Sequence, residues 1–152
     1  MENASKALIM AAGVLIGVLI LSLAVYLFTS FGSTSAQINE QNAQKQVEQF
    51  NMKFTSYLKK EGLTIYDVIT VAGYANENNK YYEDNDENKV TVYLVKGNVS
   101  TEETILKNKK SLINSDKSMI NEQHPNLPTY ECYGDEYNSK GRIKKIYFKI
   151  NS

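Results

Sequence analysis

An uncharged run of apolar residues near the start of the sequence constrains this chain more than any other feature. Residues 7–31 contain 20 apolar side chains in 25 positions, and no charged residue occurs between Lys6 and Glu40. As an α-helix, such a run spans about 37 Å, which is enough to cross the hydrocarbon core of a bilayer, about 30 Å thick. Aromatic residues lie at its distal end, where they commonly meet the membrane interface. The run therefore predicts a transmembrane helix over residues 7–31, with the lipid bilayer as a partner.

The charges that flank this run favour one orientation. Lys6 lies before it, whereas no Lys or Arg follows it until Lys45. Because cytoplasmic flanks carry an excess of positive charge, we expect residues 1–6 in the cytoplasm and residues 37–152 outside the cell membrane. A cleaved signal peptide is the alternative, although its usual apolar core is only about 7–15 residues long. The sequence thus predicts an uncleaved signal anchor, with the small residues 32–36 as a joint.

The composition of the chain argues against several classes of protein. Seventeen basic residues balance seventeen acidic ones, so the sequence does not resemble a basic nucleic-acid binder, and we expect no nucleic-acid partner. A single cysteine excludes an internal disulfide framework.

Two sets of residues are candidates for helix packing. Gly13 and Gly17 form a GxxxG step, which lets two membrane helices approach closely. Further along, Val47, Phe50 and Phe54 recur at helical spacing and form an apolar stripe. The stripe has two interpretations: it packs against neighbouring copies of the chain, or it covers the chain's own small domain.

The remaining helix signals follow this stripe. The segment from residue 37 onward contains good helix formers, and we expect its helix to end near Gly62. Thr64 and Asp67 have capping-box spacing, which predicts a second helix that ends at the asparagines of 76–79. A second capping-box match at residues 100–103 predicts a short helix.

Three segments have the composition and alternation of strands. Residues 89–96 are rich in β-branched and aromatic side chains on both faces, which indicates a central strand. Residues 129–137 and 142–150 predict a hairpin, with Ile146 and Phe148 facing the core and Ile143 on the opposite face. The predicted fold class is α+β: a long N-terminal transmembrane helix extended outward, a second helix and a small antiparallel sheet of about three strands.

The sequence offers little chemistry. His124 is the single histidine and is expected in an exposed loop, while Cys132 is expected as a small buried residue on a strand. Asp84, Asp86 and Asn88 resemble the first half of a calcium loop, but the glycine and glutamate that complete an EF-hand are missing. We therefore expect no catalytic residue, no cofactor, no metal site and no enzymatic activity.

Three segments carry a resemblance to known proteins. The opening MENASKALI (1–9) with its apolar run, the QFN at 49–51 and the YDVITV at 66–71 are similar to small uncharacterised membrane-anchored proteins of low-GC Gram-positive bacteria. The overall architecture also loosely resembles type IV pilins and pseudopilins, in which a hydrophobic helix precedes a small antiparallel sheet. The first resemblance implies a single-pass membrane protein, and neither implies an established activity.

Two functional hypotheses follow from these features. The first is a cell-envelope protein that serves as a structural or assembly subunit of pilin-like type, packing laterally with copies of itself or with envelope proteins. The second is a membrane-tethered extracellular binding module for a wall polymer, an ion or a protein. Its candidate features are the Tyr/Lys face of the sheet and the acidic loop.

Overall fold

The computed structural model describes residues 2–83, 85–122 and 126–151. Within these ranges the chain divides into two compact units, residues 1–45 and residues 46–152. The elements, in chain order, are α1 (Glu2–Thr55), α2 (Ile65–Tyr81), β1 (Thr91–Lys96), β2 (Asn98–Ser100), α3 (Glu102–Lys107), α4 (Lys109–Ser118), β3 (Thr129–Tyr137) and β4 (Ile143–Asn151).

The described part of the first unit is helical from Glu2 onward. The apolar side chains of the predicted span are exposed, except for the partly exposed Ala24, as expected for a segment suited to a lipid environment. Among the described residues, α1 is the one helix long and apolar enough to cross a membrane. Residues 32–36 continue this helix, so the predicted joint is helical, and the boundary between the units falls after Lys45.

The last ten residues of α1 belong to the second unit. The helix ends at Thr55, earlier than the predicted end near Gly62. The chain then turns through Lys59 and Gly62, which both have positive φ. On either side of this turn, Leu58 forms an isolated β-bridge with Cys132 and Leu63 forms one with Tyr130. The connection from α1 to α2 therefore covers the outer edge of β3.

The capping box predicted for α2 is confirmed. The Asp67 carboxylate accepts a hydrogen bond from the Thr64 backbone N–H at 2.8 Å. The helix continues to Tyr81, past the predicted end, because its asparagines bond to the chain that leads into β1. Asn78 donates to the Asn88 carbonyl at 2.8 Å, and Asn79 both donates to and accepts from the Val90 backbone at 2.8 Å. The α2 asparagines thus fix the start of β1.

The predicted α+β fold class is confirmed, while the sheet differs from its expected form in strand number and direction. Four strands form the order β2-β1-β4-β3, so β1 is central as predicted. β3 and β4 pair antiparallel, as do β1 and β2, but β1 and β4 are parallel. Parallel neighbours need a long crossover, and the chain between these two strands includes α3 and α4.

Ile143 lies on the core face, so its predicted placement opposite Ile146 is wrong. Its side chain is only 1% exposed. The pairing of β3 with β4 passes from Glu136–Lys145 to Tyr137–Ile143, which leaves Lys144 as an extra residue. Such a bulge reverses the alternation of side chains beyond it and brings Ile143 to the same side as Ile146.

One hydrophobic core fills the second unit. It joins the buried face of α2 to one face of the sheet, and its fully buried side chains include Phe54, Leu63, Ile105, Tyr130, Ile146 and Phe148. Two acidic residues, Glu102 and Asp116, are also buried.

The second capping-box match pairs Ser100 with Glu103, but the N-cap of α3 is one residue later, and the buried glutamate is Glu102. Thr101 is the N-cap of α3 and makes no capping hydrogen bond through its side chain. The Glu102 carboxylate accepts hydrogen bonds from the Val92 backbone N–H at 3.0 Å and from Asn79 Nδ2 at 3.1 Å. It therefore satisfies a buried backbone donor of the central strand.

Candidate binding face

The sheet face that points away from the core carries aromatic and charged side chains. We call this surface the tyrosine face, and it consists of Tyr93 on β1, Glu131, Tyr133 and Glu136 on β3, and Lys145, Tyr147 and Lys149 on β4. These side chains are partly or largely exposed, and Tyr133 is 48% exposed. Strand alternation in the sequence had already separated the tyrosines and lysines of β1 and β4 from the core residues.

Three tyrosine rings lie side by side across this face. Tyr93 and Tyr147 occupy paired positions on the parallel strands, and their rings stack with centroids 5.1 Å apart and planes 11° apart. Tyr133 lies on the other side, with its centroid 5.9 Å from that of Tyr147 and its plane tilted by 40°. The Tyr147 ring lies over Gly134, where a Cβ atom would be 3.6 Å from it, an ordinary van der Waals contact. The result is a continuous aromatic row over three strands.

The charges on the tyrosine face are paired with one another. Lys145 lies 2.7 Å from Glu136, and Lys149 lies 3.2 Å from Glu131. The Lys145 hydrogen bond lowers the pKa of Glu136, and the Tyr147 hydroxyl also donates to this carboxylate, which raises the pKa of Tyr147. Lys149 Nζ lies 5.5 Å from the centroid of the Tyr133 ring. Opposite charges in these pairs cancel, so the face offers hydroxyls and ring surface without a net charge.

Apart from the tyrosine face, the second unit has a cleft between the C-terminal turns of α1 and α2. It is an open cleft of about 210 Å³, lined by Phe50, Lys53, Tyr74, Glu77, Asn78 and Tyr81. The Arg142 guanidinium lies 3.4 Å from the centroid of the Phe50 ring and donates to Asn78 Oδ1 at 2.6 Å. Burial lowers the pKa of Arg142. The arginine therefore fixes one wall of this cleft.

Asn51 fastens the end of α1 to the β3–β4 hairpin. Its side chain donates to the Gly141 carbonyl and accepts from the Ile143 N–H, both at 2.8 Å. Gly141 has a φ of 72°, which a glycine adopts without strain in this tight turn. Together with Phe50, this contact gives the QFN segment at 49–51 a structural role within the second unit.

The five candidate helix-packing residues fall in different places. Gly13 and Gly17 belong to the first unit, where nothing lies within 4 Å of a Cβ built on either glycine. Val47 and Phe50 are partly exposed, whereas Phe54 is 0% exposed within the core of the second unit. Phe54 therefore has no surface left for a neighbouring molecule. At this residue the apolar stripe covers the chain's own small domain rather than a neighbouring copy.

The residues considered for catalysis or metal binding do not form a site in the described ranges. Cys132 is buried and unpaired, and burial raises the pKa of its thiol to about 12, so it stays protonated at neutral pH. His124 and Asp84 lie outside the described residues, while Asp86 pairs with Lys89 at 2.8 Å. Residues 2–83, 85–122 and 126–151 contain no group of three or more His, Cys, Asp or Glu side chains that could hold a metal ion.

No family model, no curated protein and no solved structure matches the chain.

Proposed function

We propose that this protein is a membrane-tethered binding module of the cell envelope. In this proposal residues 7–31 anchor the chain in the cell membrane, residues 1–6 face the cytoplasm, and the folded second unit is displayed outside. The ligand is an uncharged glycan of the cell wall, and it binds to the tyrosine face. The observation that carries the proposal is the row of Tyr93, Tyr147 and Tyr133 with its paired charges.

The chemistry of this row favours a sugar polymer over a charged ligand. Ion pairs already satisfy the lysines and glutamates of the face, so a charged partner would have to break them. Tyrosine combines an apolar ring with a polar hydroxyl, and this suits a ligand that has both C–H faces and hydroxyl groups. Because Tyr93 and Tyr147 stack on each other, Tyr133 is the ring with the most surface free to receive a sugar.

Replacement of Tyr133 by alanine is expected to weaken glycan binding about tenfold, which corresponds to roughly 1.4 kcal/mol. Tyr133→Phe keeps the ring and should retain most of the affinity. The measurement is cosedimentation of the detergent-solubilised full chain with purified cell-wall glycan. Tyr81→Ala is the matched control, because Tyr81 is 80% exposed and lies on α2 rather than on the tyrosine face. Equal binding by wild type and Tyr133→Ala would contradict the proposed site.

The tether itself gives a second expected result. The full-length chain should remain in the membrane fraction after a carbonate wash, and protease added to intact cells should digest the second unit. The physical reason is that about 20 apolar residues hold a helix in a bilayer, while the weak positive bias of the N-terminal flank retains that end inside. A soluble product beginning near Gln37 would instead identify residues 1–36 as a cleaved signal.

Lateral assembly of pilin-like type is a second candidate function. It is favoured by the open surface around Gly13 and Gly17, since small residues let membrane helices approach closely. Disulfide cross-linking between cysteines introduced at Gly13 tests this candidate in the same membrane fraction. Exclusively monomeric protein with the cysteine at Gly13 would count against it.

A further inference from the structure

Three reactive side chains meet at one end of the core, away from the tyrosine face. Lys96 ends β1, Asp116 lies in α4 and Tyr130 lies in β3. Asp116 is 1% exposed and Tyr130 is 0% exposed, while the Lys96 side chain is 12% exposed. An amine, a carboxyl group and a phenol are therefore held together with almost no access for water.

The contacts among the three side chains are direct. Lys96 Nζ is in contact with Asp116 Oδ1, and the Ser115 hydroxyl lies 3.4 Å from the same nitrogen. The Tyr130 hydroxyl lies 3.0 Å from both carboxylate oxygens of Asp116. A nucleophile thus touches the carboxyl group, and a hydrogen-bond donor lies across it.

Backbone pairing fixes the two strand residues of this cluster. Lys96 pairs with Asn98 of β2. Tyr130 pairs with Ile150 of β4, and its N–H donates to the Leu63 carbonyl at 2.7 Å. The amine and the phenol are therefore held on ordered strands and Asp116 on α4, which favours one persistent geometry.

We propose that Lys96 and Asp116 condense to an amide that links β1 covalently to α4. A proton first passes from the Lys96 ammonium to the Asp116 carboxylate, which yields a neutral amine and a carboxylic acid. The Nζ lone pair then attacks Cγ, the new C–N bond forms, and the C–OH bond breaks. The hydroxyl leaves with an amine proton as water. Overall, one ammonium and one carboxylate become one amide and one water, and no oxidant or other reactant is needed.

The surroundings favour this reaction over a lasting ion pair. Two opposite charges in a water-poor site bear a desolvation cost, and the neutral amide removes both charges. Intramolecular reactions with well-oriented partners reach effective concentrations on the order of 10⁵–10⁸ M. This offsets the tendency of free amines and carboxylic acids in water to remain separate rather than to condense.

Tyr130 acts on the reacting carboxyl group as a hydrogen-bond donor. When the amine attacks, negative charge develops on a carboxyl oxygen, and a positioned O–H stabilises that charge. Burial and the nearby Asp116 charge raise the pKa of Tyr130, so its hydroxyl keeps its proton at neutral pH. Tyr130 therefore takes the part of a catalytic residue in the condensation.

Intact mass and peptide mapping of the full-length chain in detergent test this inference. We expect a mass lower by one water molecule and a branched peptide that joins Lys96 to Asp116. Recovery of separate, unmodified peptides for both residues from the folded protein would overturn the proposal, whatever the fate of the proposed function.

Two variants make the test specific. Lys96→Arg keeps the positive charge and the ion pair but removes the amine nucleophile, so it should show the full mass. If the Lys96→Arg variant still showed the loss of one water, that loss would come from a cyclic imide at an Asp residue. This result would contradict the proposal. Tyr130→Phe keeps the buried ring and removes the hydroxyl, and it should contain a large uncondensed fraction. Complete condensation in that variant would overturn the role of Tyr130.

Discussion

Replacement of Phe54 by alanine is expected to lower the free energy of unfolding of the second unit by about 3–5 kcal/mol. The Phe54 side chain is 0% exposed, and its ring contacts Phe50 at a centroid distance of 5.2 Å and Tyr74 at 6.5 Å. Removing it leaves a cavity that the strands and α2 cannot close completely. Denaturant unfolding of the full chain in mild detergent, followed by tyrosine fluorescence, measures the change.

Met52→Ala is the matched control for Phe54→Ala. Met52 lies two residues earlier on the same helix and is 65% exposed, so its loss should change the free energy of unfolding by less than about 0.5 kcal/mol. If both variants proved equally mild, Phe54 would not support the core. The apolar stripe would then be free for a neighbouring copy, as the pilin-like hypothesis requires.

Replacement of Glu102 by alanine is expected to cost about 1–3 kcal/mol of stability. The change removes the acceptor of the Val92 N–H and of Asn79 Nδ2, and it leaves a buried donor unsatisfied on the central strand. Denaturant unfolding measures the loss, and hydrogen exchange should show faster exchange at the Val92 amide.

Two further variants separate the hydrogen bonds of Glu102 from a general effect on α3. Glu103 is the next residue on the same helix and is exposed, so Glu103→Ala should leave stability almost unchanged. Glu102→Gln keeps one acceptor oxygen and should fall between wild type and alanine. Unchanged exchange at Val92 in Glu102→Ala would contradict the assigned contact.

Local signals predicted much of the second unit. The span of β3 agrees with its sequence prediction, and that of β4 differs by only one residue at each end. Both strands were predictable because strict alternation and a glycine turn are properties of neighbouring residues. The capping box of Thr64 and Asp67 is likewise a signal carried by residues close together in sequence. By contrast, the match at residues 100–103 predicts a short helix but not its N-cap, which is Thr101, and it does not predict the contact of Glu102 with β1.

Features that depend on distant residues could not be predicted. The parallel pairing of β1 with β4 joins segments about fifty residues apart, and the sequence contains no local signal for it. The placement of Ile143 depends on a bulge near the end of the hairpin, which the alternation of β4 alone does not reveal.

The two candidate sites also differ in whether local sequence signals could predict them. The tyrosines and lysines that β1 and β4 contribute to the tyrosine face follow from period-two alternation on predicted strands. On β3, strict alternation would place Glu131 and Glu136 on opposite faces, and a register shift near Tyr133 brings both to the tyrosine face.

The cluster of Lys96, Asp116 and Tyr130 joins a strand end, a helix and another strand, with separations of 20 and 14 residues along the chain. Residues 108–126 also have no clear periodicity, which hid the helix that carries Asp116.

The segment that runs past β3 affects whether copies of the second unit can associate through their sheets. Leu58 and Leu63 occupy the outer margin of β3, and β2, on the opposite margin, is only three residues long. An open edge strand would invite a second copy to extend the sheet. Because one margin is covered at Tyr130 and Cys132 and the other is short, the described sheet offers little open strand to a second copy.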